Sequence, residues 1–114
     1  MTQYLAELYT PKPAWLDLDH HRQVRFFEDI GAGMAHLSAL GVEAIAFGQT
    51  DATKIHAAPQ QFFAIWRFPD EAALNALLDG ITASGWHDYF YTVNAAGAGV
   101  DFTGHVAQLV AAQH

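Results

Sequence analysis

Residues 62–68, FFAIWRF, are apolar at every position but one. A run this rich in aromatic and β-branched side chains reads as a β-strand, because such residues pack well on a pleated surface. Its near-absence of polar alternation marks a strand inside a sheet, not on a solvated edge. Residues 3–10, QYLAELYT, read the same way: Tyr4, Ala6 and Leu8 point to one face, Leu5, Glu7 and Tyr9 to the other. Both sets are largely apolar, so this strand is also central. Pro11 and Pro13 end it.

Helices alternate with these strands. Residues 14–18 form a connection, and Asp19 is placed to cap the next segment. Val24, Phe27, Ile30, Met34 and Leu37 then recur at spacings of three and four, which makes one face of a helix that stops at Gly41. Gly31 and Gly33 each cost that helix about 1 kcal/mol against alanine, and close approach to a neighbour is the expected compensation. Arg25 can meet Glu28 or Asp29 on the polar face. Residues 42–48 read as a second strand and 49–61 as a long loop. Asp70 caps a second helix with Leu74, Leu77, Leu78 and Ile81 on its buried face and Gly85 beyond it. Residues 86–90, WHDYF, read as an aromatic turn, 91–95 as a fourth strand and 95–99 as a flexible link. A short third helix over 101–112 is expected to pack at the end of the domain.

The order β-α-β-β-α-β-α is the split βαβ, ferredoxin-like arrangement of the α+β class. It implies a four-stranded antiparallel sheet with two helices on one face and a short extra C-terminal helix. Residues 1–114 make one domain of ordinary size, able to bury roughly two thirds of the surface its unfolded chain exposes. The chain has no cysteine, so disulfides, thiolate catalysis and thiolate metal sites are excluded. It shows neither a signal peptide nor a membrane-spanning stretch, and a cytoplasmic location is expected. Five scattered bases against twelve acids, net charge −7, argue against nucleic acid as a partner. With helices on one face only, the other sheet face exposes apolar side chains, and a two-fold homodimer with sheets face to face is the simplest cover.

Taken together, QYLAELYT, AWLDLD before the first helix, FFAIWRFPD before the second and SGWHDYF after it resemble the dimeric α/β-barrel superfamily. That group includes EthD-type, stress-responsive barrel, antibiotic-biosynthesis monooxygenase and NIPSNAP-type domains. Within it the chain is more similar to small uncharacterised bacterial proteins, and more distantly to darcynin. The resemblance spans positions 3–95 and rests on elements and aromatic positions, not on a catalytic signature. It implies the fold and a dimer, with pockets between sheet and helices or inside the barrel. It constrains activity little, since such folds host many chemistries.

Some cofactor-free oxygenases of the superfamily use a Trp, Asn and His or Tyr set. The resemblance would place such a set at Trp66 and Asn94, with His87 or Tyr91 transferring the proton. The residues themselves leave open that Trp86 and Tyr89 are packing anchors and that Asp88 fixes His87. Glu7 lies mid-strand, where a buried carboxylate needs a partner or a proton, and Arg67 on the neighbouring strand is the expected partner. The alternatives are a structural ion pair and a carboxylate base of raised pKa facing a ligand.

Asp17, Asp19, His20 and His21 crowd a helix start, but adjacent residues there point apart and chelate poorly. No spaced metal motif is present, and no metal is expected. The superfamily includes haem binding by a lone histidine, but nothing selects one among His36, His56 and His105, and no cofactor is expected. The glycines build no phosphate cradle, and neither Ser38 nor Ser84 sits in a nucleophile elbow.

Two functions follow. One is a pocket for a small aromatic or hydrophobic compound, of oxygenase or isomerase type. Tyr9, Trp15, Trp66 and Phe68 would shape that pocket, with Arg67, Trp86 and Tyr89 alongside; Glu7, His87, Tyr91 and Asn94 would be its reactive groups. The other is a non-catalytic dimeric module with a solidly filled interior and Glu7 paired to Arg67.

Overall fold

In the computed structural model, described over residues 1–112, the strands and longer helices follow in the order expected, with two short helices added, one of them (Pro13–Leu16) within the supposed connection. They are β1 (Gln3–Pro11), α1 (Pro13–Leu16), α2 (His20–Ala39), β2 (Glu43–Gln49) and β3 (Phe62–Phe68). After these come α3 (Glu71–Ala83), α4 (Trp86–Tyr89), β4 (Phe90–Ala98) and α5 (Phe102–Ala111). The four strands form one antiparallel sheet in the order β2-β3-β1-β4, the ferredoxin-like α+β fold. The apolar segments 3–11 and 62–68 take its two central positions.

Local chemistry sets the helix ends. Asp19, Asp70 and Asp101 each accept a hydrogen bond from the backbone N–H three residues on, at 2.9, 2.8 and 2.8 Å. Gly41 ends the α2 region at φ +89°, where a Cβ would meet Pro69 Cγ at 2.8 Å, so both backbone and space demand glycine.

The core lies between the sheet and α3. Leu5, Phe68, Ala64, Leu74 and Leu77 are buried there, with Leu5 and Phe68 wholly inaccessible. By contrast, α2 buries one residue, Leu37, near its C-terminus, with Met34 partly packed beside it. Its N-terminal half rests on an aromatic cluster instead. The Trp15 ring meets Phe26, Phe27, Tyr89 and Phe90 at centroid distances of 5.0–5.7 Å.

Several expectations are corrected. The WHDYF turn contains a helical turn, α4, and the supposed link 95–99 continues β4 to Ala98. Gly31 and Gly33 have nothing within 4 Å of a Cβ position, so close approach does not explain them. Arg25 makes no ion pair among the described residues; Arg22 instead meets Asp19 at 3.7 Å. The C-terminal helix does not pack: Phe102, Leu109 and Val110 of α5 are exposed.

The largest correction concerns Arg67. The register sets Glu7 opposite Ala64, and Arg67 opposite Tyr4 on β1 and Glu43 on β2. Side chains alternate along a strand, so Glu7 and Arg67 point to opposite faces. Arg67 pairs with Glu43 at 2.7 Å instead. The same register puts Trp66 on the helix-covered face and Ile65 on the open one.

Candidate functional site

The space between the sheet and the loosely seated α2 is a cavity of about 440 Å³. Its floor is the sheet: Glu7 and Tyr9 of β1, Ala64 and Trp66 of β3, Ala44 and Phe47 of β2. Its roof is the apolar face of α2, with Phe27, Ile30 and Met34, while Leu77 and Trp86 close the sides. Phe27 and Phe47 are 46% and 62% exposed, which leaves the rim open to solvent.

Glu7 is the charged residue of this lining. It is 4% exposed and is the one charged side chain in the buried set of the described residues. Its Oε2 has no hydrogen-bond partner, and neither has the buried Nε1 of Trp66. The indole is near enough to favour the charged carboxylate, though it forms no hydrogen bond of acceptable geometry. Burial outweighs that effect and pushes the Glu7 carboxyl above the ordinary glutamate value of 4.5. Burial, and then the nearby Glu7 charge, also push the Tyr9 phenol up, so it keeps its proton.

Aromatic packing holds the walls. Trp66 meets Phe47 edge-on at 5.3 Å. Trp86 stacks on Phe90 at 4.0 Å, meets Tyr9 edge-on at 5.1 Å and donates its Nε1–H to Thr92 Oγ1 at 2.9 Å. With its polar atom so engaged, Trp86 presents only ring to the cavity.

Of the residues singled out from sequence, Glu7, Tyr9, Trp66 and Trp86 therefore come together. The others do not line the cavity. Tyr91 is 59% exposed and its ring lies on the open face under Lys12 Nζ, 5.0 Å from the centroid. His87 is exposed, and its carbonyl accepts from Lys12 Nζ at 2.6 Å. Asn94 stands opposite Glu7 on edge strand β4 but is exposed. Trp15 and Tyr89 belong to the aromatic cluster under α2, Phe68 to the core and Arg67 to the open face. Sequence reasoning placed Phe27, Ile30, Met34 and Leu77 in the core and passed over Ala44, Phe47 and Ala64. No local signal separates a cavity wall from a core contact.

Among the described residues, no three His, Asp or Glu side chains gather as a metal site, and no helix is long and apolar enough to cross a membrane.

A family model matches residues 2–112. The chain belongs to DUF6616, a family of unknown function. No curated protein sequence matches significantly. Among solved structures, one provisionally described as a chlorite dismutase is similar at TM-score 0.65 and 18% identity. The match covers 96% of this chain but 49% of that one, so this chain spans about half its length. A Rhodopseudomonas palustris protein of unknown function is similar at TM-score 0.59 and 15% identity, covering 88% of this chain and 83% of that one. A Mesorhizobium loti dabb-family protein with a ferredoxin-like fold is similar at TM-score 0.51 and 17% identity, covering 88% and 98%. At these identities the likeness is one of fold.

Because the folded chain holds the Glu7 proton more tightly than the unfolded one, Glu7 contributes less stability once pH exceeds 4.5. The deficit grows until pH passes the raised folded value and is constant above it. Glu7→Gln should therefore gain on the parent as pH rises from below 4.5 to neutrality, measured by urea unfolding across pH. A stability difference independent of pH would contradict the raised value.

Proposed function

We propose that this protein binds a small, largely hydrophobic or aromatic molecule in the cavity between the sheet and α2. The carrying observation is a buried carboxyl, its Oε2 without a hydrogen-bond partner, on a largely apolar cavity of about 440 Å³. Leaving a polar group buried and unpaired costs a fold about 1–3 kcal/mol, and more if charged. A structural role for Glu7 would require a partner within the chain; a ligand role requires an unfilled space beside it, and that is what adjoins it. The volume lies within the usual range for small-molecule sites. The alternative of a filled interior with Glu7 tied to Arg67 has neither feature in its favour.

The chemistry this supports is binding, with at most transfer of a single proton through Glu7, as in an isomerisation. Tyr9 keeps its proton, and His87, Tyr91 and Asn94 are not gathered with Trp66 as an oxygenase set would require. Titrating a neutral naphthalene-type fluorescent probe tests the reading. The probe should bind at one site per chain. Ala44→Phe, which fills the cavity from an exposed position on its wall, should weaken it by at least about tenfold with the circular dichroism unchanged. No binding, or binding indifferent to that change, would refute it.

We also propose that a second copy of the chain covers the open sheet face. Tyr4, Leu8, Phe63, Ile65, Tyr91 and Val93 share that face by alternation. Its charges are Arg67 and Glu43, paired to each other, and Lys12 over the Tyr91 ring, so the acids behind the net charge of −7 do not set two such faces against one another. Wild-type protein should sediment as a dimer, and Ile65→Glu and Val93→Glu as monomers. A wild-type monomer, or two variants that stay dimeric, would dismiss this interface.

A further inference from the structure

We infer that the ligand of the cavity is an amine, a hydrophobic or aromatic molecule whose ammonium group sits against the Glu7 carboxylate and the surrounding ring faces. This rests on the reading that the cavity takes a small molecule, and goes on to specify its charge.

The lining argues for a cation by what it offers. One acid stands among five aromatic side chains, Tyr9, Phe27, Phe47, Trp66 and Trp86. Ring faces carry negative charge density and attract a cation held over them, most of all when water is excluded. Trp86 has its N–H turned to Thr92, and Phe27 and Phe47 have no polar atom, so these walls meet a ligand as ring carbon. A carboxylate adds the charge-assisted hydrogen bond that an ammonium needs once it leaves water.

The lining argues equally by what it withholds. None of the five bases lines the cavity. Arg67 is tied to Glu43 on the far face, Lys12 to the His87 carbonyl, Arg22 to Asp19 and Lys54 to Asp51; Arg25 lies among polar residues of α2. An anion would meet Glu7 with no compensating charge, and the overall charge of −7 would add to the repulsion. The groups facing Glu7 from each packed element are Tyr9 on its own strand, Trp66 and Ala64 on β3, Asn94 opposite it on β4, which carries no charge, Phe47 and Ala44 on β2, and the apolar residues of α2 and α3. Tyr9 is the other titratable group among them, so Glu7 decides the charge of the site.

An uncharged carbonyl ligand would take a hydrogen bond from protonated Glu7, and an ammonium would ion-pair with it deprotonated. Their affinities therefore move in opposite directions with pH. Three matched probes, 1-naphthylmethylamine, 1-naphthylmethanol and 1-naphthoate, can be titrated against the whole protein. Two of the three tryptophans, Trp66 and Trp86, line the cavity and report occupancy by fluorescence. At mildly alkaline pH the amine should bind at least about tenfold more tightly than the alcohol, and the naphthoate least. Amine affinity should rise with pH through the Glu7 titration. Glu7→Gln should abolish the preference and its pH dependence while the alcohol still binds.

Alcohol binding equal to or tighter than amine binding in the wild type would overturn the inference and leave the cavity reading standing. So would an amine preference that survives Glu7→Gln. Failure of all three probes would overturn both. The wild-type comparison needs no variant, so misfolding of Glu7→Gln would not shelter the inference.

Discussion

The structure depends on an unequal division of packing between two helices. α3 is seated on the central strands, where Leu74 and Leu77 meet Leu5, Ala64 and Phe68, and this contact forms the core. α2 is held towards its C-terminus by Leu37 and Met34 against the core and in its N-terminal half by Phe26 and Phe27 against Trp15, Tyr89 and Trp86. Native interiors leave few voids larger than a water molecule, because every unfilled space forfeits dispersion contacts. A helix propped at both ends over a sheet therefore marks a place where contacts were given up, and the cavity is the space beneath it.

Glu7 gives that space its chemistry. In water its carboxylate would be solvated on all sides; against Trp66 and Tyr9 it is buried, with Oε2 lacking a hydrogen-bond partner. Such a group takes up a proton or a ligand, and the two compete. The same burial that raises its proton affinity would strengthen its attraction for an ammonium, since the low dielectric acts on both. Site chemistry and fold stability are thus set by one side chain.

Much of the fold was legible because its determinants are local. The caps at Asp19 and Asp70, the stop at Gly41 and the apolar strand 62–68 each act within a few residues of themselves. What was misread depends on register. Glu7 and Arg67 lie on neighbouring central strands, as expected, yet whether they meet is decided by a parity that no local feature encodes. One site error was avoidable: Tyr91 and Asn94 are three apart on a strand, so alternation already denies them a common face. The cavity walls were not legible at all. Phe27, Ile30 and Met34 have the spacing of a core stripe, and only the height of α2 above the sheet makes them a lining.

The measurement that bears most directly on the central claim is a carbon-13 NMR titration of the Glu7 carboxyl in the ligand-free protein. A midpoint above 4.5 is the predicted result, because burial without a partner disfavours the charged form. A midpoint at or below 4.5 would mean that Glu7 is solvated or paired in solution, and would contradict the account of the site.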